Sequence, residues 1–259
     1  MKKNLTIILV LIAILAIVIG AFLVIRGRNR NKIVDEETQE PTTLETPFVD
    51  RPFVALIPRA DGKEFTMEIS RIKNAKSIEY EMVYLSQGLS RGVIGSIETN
   101  GESEVSRKLL LGTCSKDVCK YDEGVDQGTL TLRFRGTDGV RKFISDFRLQ
   151  QGVQELSSID NKLKLIGKFP ATAYYLTMST IGLPEEITST VVGQPYGIFT
   201  AGSSAIKNVA LNMTFETQET PTKLFFFDGK TSVEQTGVKI EGNIINATVN
   251  NLGIFFATQ

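Results

Sequence analysis

Apolar positions recur along this chain in two rhythms. The first is continuous: no charged residue interrupts the run that starts at Leu5 and stops at Ile25. A helix rising about 1.5 Å per residue over that length crosses a hydrocarbon core of about 30 Å. The second rhythm has a period of two. Phe65, Met67 and Ile69 alternate with Thr66, Glu68 and Ser70, and Ile78, Tyr80, Met82 and Tyr84 alternate with Glu79, Glu81 and Val83. Such alternation sets one face of a strand on a core and the other in water. Strands are also expected at residues 53–57, 92–98, 105–111, 129–135 and 142–149. A second set begins near Gly152, at residues 162–166, 172–178, 197–200, 209–215, 223–227, 238–241, 244–249 and 253–257. Turn pairs such as Asp61-Gly62, Asn100-Gly101, Asp138-Gly139 and Asp228-Gly229 fall between strands. Past residue 32 no stretch keeps a helical period over three turns.

These rhythms predict an all-β protein: two tandem antiparallel β-sandwich (immunoglobulin-like) domains after a single N-terminal transmembrane helix. The expected division is a cytoplasmic N-terminus at 1–4, the transmembrane helix at 5–25, a flexible linker at 26–47, and sandwich domains at 48–151 and 152–259. One larger sandwich is the alternative. The segment 26–47 is polar, holds two prolines and separates a basic block from an acidic one, so it has no means of forming a core.

The apolar run exceeds the roughly 7–15 residues of a secretory signal and continues past its only small-residue pair, Gly20-Ala21, so it is read as a retained anchor. Charge alone argues for a cytoplasmic C-terminal part, because Arg26, Arg28, Arg30 and Lys32 outnumber Lys2 and Lys3. Against this stand the weak effect of flanking charge on long C-terminal domains, the spacer-like linker and a cysteine pair suited to a disulfide. The expected location is therefore the plasma membrane, with the C-terminal part extracytoplasmic.

Composition narrows the chemistry. The net charge is zero and no basic patch stands out beyond the membrane flank, which excludes nucleic acid as an expected partner. The chain has no histidine, the usual general base near neutral pH and the commonest metal ligand. No tryptophan is present for stacking on sugars. No cofactor and no bound metal are expected.

Cys114 and Cys119 flank four residues, a spacing that lets them face each other across a hairpin as a structural disulfide. It is too wide for a C-x-x-C redox motif. Asp117, Asp122, Glu123 and Asp126 supply oxygen ligands for a calcium loop, although the spacing is not that of an EF-hand and a solvated acidic loop is the simpler reading. Gly88-Leu89-Ser90-Arg91-Gly92 matches G-x-S-x-G without the histidine or helix that motif needs. Ser70 with Lys73, and Ser204 with Lys207, match S-x-x-K, which activates a serine only at a helix start. Of these, the pair Ser204 and Lys207 carries the catalytic alternative, a histidine-free serine–lysine hydrolase of envelope polymers. No catalytic residue is assigned. The runs Phe225-Phe226-Phe227 and Phe255-Phe256 are expected in strands buried on both faces.

The stretch from Thr113 through Cys114 and Cys119 to Asp122 is similar to segments of uncharacterised, membrane-anchored bacterial surface proteins. So is the ending from Leu224 to Lys230 together with Asn250 to Ala257. The resemblance covers these two short segments. It implies extracytoplasmic sandwich domains and carries no functional residue. The expected function is non-catalytic, binding or architectural, at the cell envelope, with the membrane as one partner and an envelope protein or glycan as a ligand. A cytoplasm-facing membrane scaffold is the remaining alternative.

Overall fold

The computed structural model describes residues 44–116 and 118–259. The apolar run of residues 5–25, most of the 26–47 segment and Asp117 lie outside them. Among the described residues no helix is long and apolar enough to cross a membrane.

The described part is all-β and antiparallel, with one short 3-10 turn at Phe48–Asp50. Its first strands are β1 (Phe53–Pro58), β2 (Glu64–Ser70), β3 (Ser77–Ser86), β4 (Leu89–Glu98) and β5 (Val105–Leu110). A short hairpin follows, β6 (Gly112–Ser115) and β7 (Val118–Tyr121), then two long strands, β8 (Val125–Arg135) and β9 (Val140–Gln151). The rest are β10 (Glu155–Ser157), β11 (Leu163–Ile166), β12 (Tyr174–Ser179), β13 (Val191–Phe199), β14 (Ala205–Thr214), β15 (Lys223–Phe227), β16 (Ser232–Glu234), β17 (Lys239–Glu241), β18 (Ile244–Asn251) and β19 (Ile254–Thr258). The turn between β3 and β4 is Gln87-Gly88, with both residues left-handed (φ 49° and 76°). That geometry matches the twist of a two-residue hairpin and suits glycine at its second position.

Nine strands form one continuous sheet in the order β16-β15-β19-β13-β12-β9-β8-β3-β4. The pairing of β9 with β12, from Tyr174 opposite Gln151 to Met178 opposite Phe147, carries this sheet from the first half of the chain into the second. A three-stranded sheet, β1-β2-β5, and a five-stranded sheet, β10-β11-β14-β18-β17, pack against it.

The two smaller sheets cover opposite faces of the large one, and strand alternation shows it. Phe147, Leu149, Leu176 and Met178 join the core beneath β1, β2 and β5, with Val54, Leu56, Phe65 and Met67. Tyr175, Ile198, Phe226 and Phe255 join the core beneath the five-stranded sheet, with Leu165, Leu211 and Ile245. Successive residues point to opposite faces, so Tyr175 and Leu176 serve different cores. Polar ties fix the second cover: Thr177 donates to the Ser157 carbonyl (2.8 Å), and Gln150 accepts from the Ser157 amide (3.0 Å).

The paired phenylalanines split in the same way. Phe226 and Phe255 enter the second core, while Phe225 and Phe256 stack at 5.3 Å on the reverse face. There Leu183 and the half-buried Phe48 and Ile187, from irregular chain, close the sheet together with Phe53 at the start of β1.

Candidate functional site

Where β1-β2-β5 stops and the irregular closure begins, the fold leaves an open groove of about 720 Å³. Volumes of this order hold small ligands or short peptide segments. The outer face of the small sheet forms one wall. Cross-strand register sets Ala55 opposite Glu68, and Glu68 opposite Ser106, with Phe53 opposite Ser70 alongside. These side chains face away from the first core because Val54, Leu56, Met67 and Ile69 take the alternate positions into it. The other wall comes from the ends of β13, β15 and β19, through Phe199, Phe227 and Ile254, with Pro184 beside them.

The polar chemistry of the groove is one-signed. Among the described residues its charged lining consists of Glu68, Glu104 and Asp228, with no lysine or arginine. All three are exposed. Among the described residues none of the three forms an ion pair, although their neighbours do. Asp228 holds its turn by accepting from the amides of Lys230 (2.8 Å) and Thr231 (3.0 Å). Those amides keep its carboxyl below the usual carboxylate range.

The loop behind Pro184 is latched from the other half of the chain. Arg71 is left-handed (φ 59°) after β2 and turns its guanidinium to the Leu183 carbonyl (2.8 Å) and the Val49 carbonyl (2.5 Å). Lys73 reaches Asp50 (3.2 Å) and Glu186 (3.1 Å). The groove wall is thus held by charge-assisted bonds between segments far apart in sequence.

The sequence-derived candidates are placed as follows. Cys114 and Cys119 stand directly opposite each other in the β6–β7 pair and form a disulfide. Of the acidic residues considered for calcium, Asp122 accepts from the Tyr84 hydroxyl at 2.7 Å and lies 3.8 Å from the Arg91 guanidinium. Burial, followed by that bond to Asp122, pushes the Tyr84 phenol upward. Glu123 and Asp126 are exposed, and Asp117 is outside the described residues. Among the described residues no three histidine, cysteine or acidic side chains are placed to hold a metal ion.

Ser204 lines the groove, and its carbonyl accepts from the Leu252 amide. Lys207 does not line it; it lies on β14, an extended segment without the helical turn that S-x-x-K requires. Ser90 lies within β4, and Ser70 ends β2 on the groove wall while Lys73 is committed to Asp50 and Glu186. Tyr196 is buried and donates to Asp160 (2.5 Å). The sequence reading did not single out Glu68, Glu104 and Asp228. Each looks like an ordinary solvent-facing position of a strand or turn, and only the sheet topology brings them to one groove.

A scan against protein-family models gives no match to the chain, and a search of curated proteins gives none either.

Proposed function

We propose that this chain is a single-pass, membrane-tethered, extracytoplasmic binding protein whose groove takes a cationic peptide segment with apolar flanking side chains. The observation that carries the reading is the groove itself: walls carrying the apolar side chains of Phe53, Phe199, Phe227 and Ile254 together with three carboxylates outside any ion pair, and, among the described residues, no basic lining residue. Apolar burial supplies contact, and a one-signed rim selects and steers an oppositely charged ligand. In this reading the two cores are two tandem, immunoglobulin-like sandwich units fused through a shared sheet, and the groove lies at their junction. The run from Leu5 to Ile25 is the anchor. The disulfide supports an extracytoplasmic placement, because such bonds persist in oxidising compartments. Serine–lysine hydrolysis finds less support, since Lys207 is absent from the groove that Ser204 lines.

The test is fluorescence anisotropy with the full chain in lipid nanodiscs. The probes are labelled pentapeptides alternating lysine with leucine or phenylalanine, and their glutamate-for-lysine counterparts. The lysine series should bind, and the combined Glu68→Gln, Glu104→Gln, Asp228→Asn variant should bind about tenfold more weakly, at about 0.5 kcal/mol per rim charge. Raising the salt should weaken binding in the same direction. Equal binding of the glutamate series, or an unaltered triple variant, would remove the proposal.

A further inference from the structure

A sheet edge exposes a row of unpaired backbone donors and acceptors, and folded proteins blunt such edges by keeping them short, bulged, charged or covered. Most edges here follow that practice. The edge strands β10, β16 and β17 have three residues each. The edge strand β1 packs beside β12 and β13, and β5 carries Arg107 and Lys108. At the far end of the nine-stranded sheet, β4 is the exception. It is ten residues long, its register with β3 runs without a bulge from Leu89 to Glu98, and it contains no proline. Its charges are Arg91 and Glu98, and Arg91 leans toward Asp122 at 3.8 Å.

Among the described residues, no strand covers the face beside this edge either. The five-stranded sheet covers the other half of that face, leaving Ile94 at 78% exposure, Ile144 at 57%, and Val83 and Leu85 at 39% each. Register places Ile94, Glu81, Thr131 and Ile144 in one cross-strand row. Among the described residues Ile94 is the most exposed of the large hydrophobic ones, and it stands on the edge strand itself.

We propose that β4 is an assembly edge and that its occupant is β4 of a second copy, paired antiparallel about a twofold axis passing midway between the two Ile94 residues and normal to the sheet. That symmetry makes the two nine-stranded sheets one continuous sheet and keeps like faces together. The strand is self-complementary in this register. Ile94 meets its own symmetry mate, Val93 meets Gly95, Gly92 meets Ser96, Arg91 meets Ile97, and Ser90 meets Glu98. No like charges are opposed, and the glycines leave room beside the larger partners. The backbone supplies affinity, and burial of Ile94 against itself fixes the register.

The test uses the full chain in its native membrane with Ile94→Cys. Cys114 and Cys119 are already bonded to each other. Directly opposed Cβ atoms lie about 5 Å apart, so mild oxidation should convert most of the variant to a disulfide-linked dimer of twice the chain mass. Ser96→Cys is the register control. Two Ser96 residues would be about 13 Å apart along the strands and should stay uncrosslinked. Ile94→Lys should weaken self-association at least tenfold by light scattering in detergent. Both positions are exposed, and an unchanged melting temperature of each reduced variant shows that the fold is kept. The inference is overturned if Ile94→Cys yields no dimer, if Ser96→Cys crosslinks equally well, or if Ile94→Cys joins a different protein.

Discussion

If the large sheet couples the two cores, truncating one aromatic side chain in either core should lower a single common unfolding transition. Phe147 on β9 is fully buried, and its ring meets Phe65 of the covering sheet edge-on at 5.4 Å. Glycine at position 128 makes room for that ring, since a Cβ there would come within 2.6 Å of Phe147 Cζ. Phe147→Ala therefore opens a cavity that a rigid two-sheet core cannot readily fill, at a cost of about 3–5 kcal/mol. Roughly 0.5–1.5 kcal/mol of that is the aromatic pair. For a chain of this size each kcal/mol moves the melting temperature by about 2–4 °C, so the expected drop is about 6–20 °C. Phe255→Ala in the second core is likewise fully buried, with Phe226 at 5.1 Å, and should produce a drop of the same order. The assay is scanning calorimetry of the full chain in mild detergent. The coupling argument rests on β12, whose Leu176 and Met178 serve one core while Tyr175 serves the other. It fails if Phe147→Ala splits the melt and leaves one transition unmoved. The packing argument fails separately if the cost is below about 1 kcal/mol.

The Cys114–Cys119 bond closes a very short loop, so Cys114→Ser with Cys119→Ser should cost no more than about 2 kcal/mol. It should accelerate amide exchange in the β6–β7 hairpin specifically. In intact cells a membrane-impermeant maleimide should label the wild type only after reduction and without permeabilisation, whereas labelling that requires permeabilisation would reverse the proposed orientation. Acid should weaken the tie between Tyr196 and Asp160. Burial pushes the Asp160 carboxyl up, but bonds from Ser158, Tyr196 and the Lys162 amide outweigh it, and its pKa lies below the ordinary value. Its stabilising contribution is therefore intact above the unfolded value near pH 4 and is lost as pH falls through the folded value. Asp160→Asn should flatten the stability profile below about pH 4 in chemical denaturation, and parallel profiles would refute the assignment.

Strand positions were legible because the evidence for them is local. Alternation located β2 and β3 almost to the residue, and Asn100-Gly101 takes the left-handed turn expected of it, at φ 51° and 81°. Phe255-Phe256 announced a strand buried on both faces, which is what β19 is, whereas in β15 Phe226 is buried and Phe225 and Phe227 are half-buried on the reverse face. The disulfide was legible from spacing alone. The short strands β10 and β16 were not, because three residues show no period and are recruited by their neighbours. The groove was illegible for a different reason. Glu68, Glu104 and Asp228 come from a strand, a strand approach and a turn, and a solvent-facing carboxylate in a sequence looks the same whether it faces bulk water or a concave wall.

The offset between the two covering sheets explains why the interesting surfaces lie where they do. A sheet covered over its whole length on one face would need apolar residues only on that face. Here each half of the large sheet is apolar on a different face, and β12, where the cover changes sides, must be apolar on both: Tyr175, Leu176 and Met178 are all buried. Each cover then ends partway along the sheet and leaves a step. At one step, irregular chain around Leu183 and Phe48 closes the exposed apolar face, and the closure is incomplete where the acidic groove opens. On the other face nothing among the described residues closes the stretch from Ile144 to Ile94, and it runs out to the unprotected edge of β4. One surface is a concavity with a charge preference, and the other is a flat edge with backbone to satisfy. They call for different occupants, and a variant in one should leave the other intact.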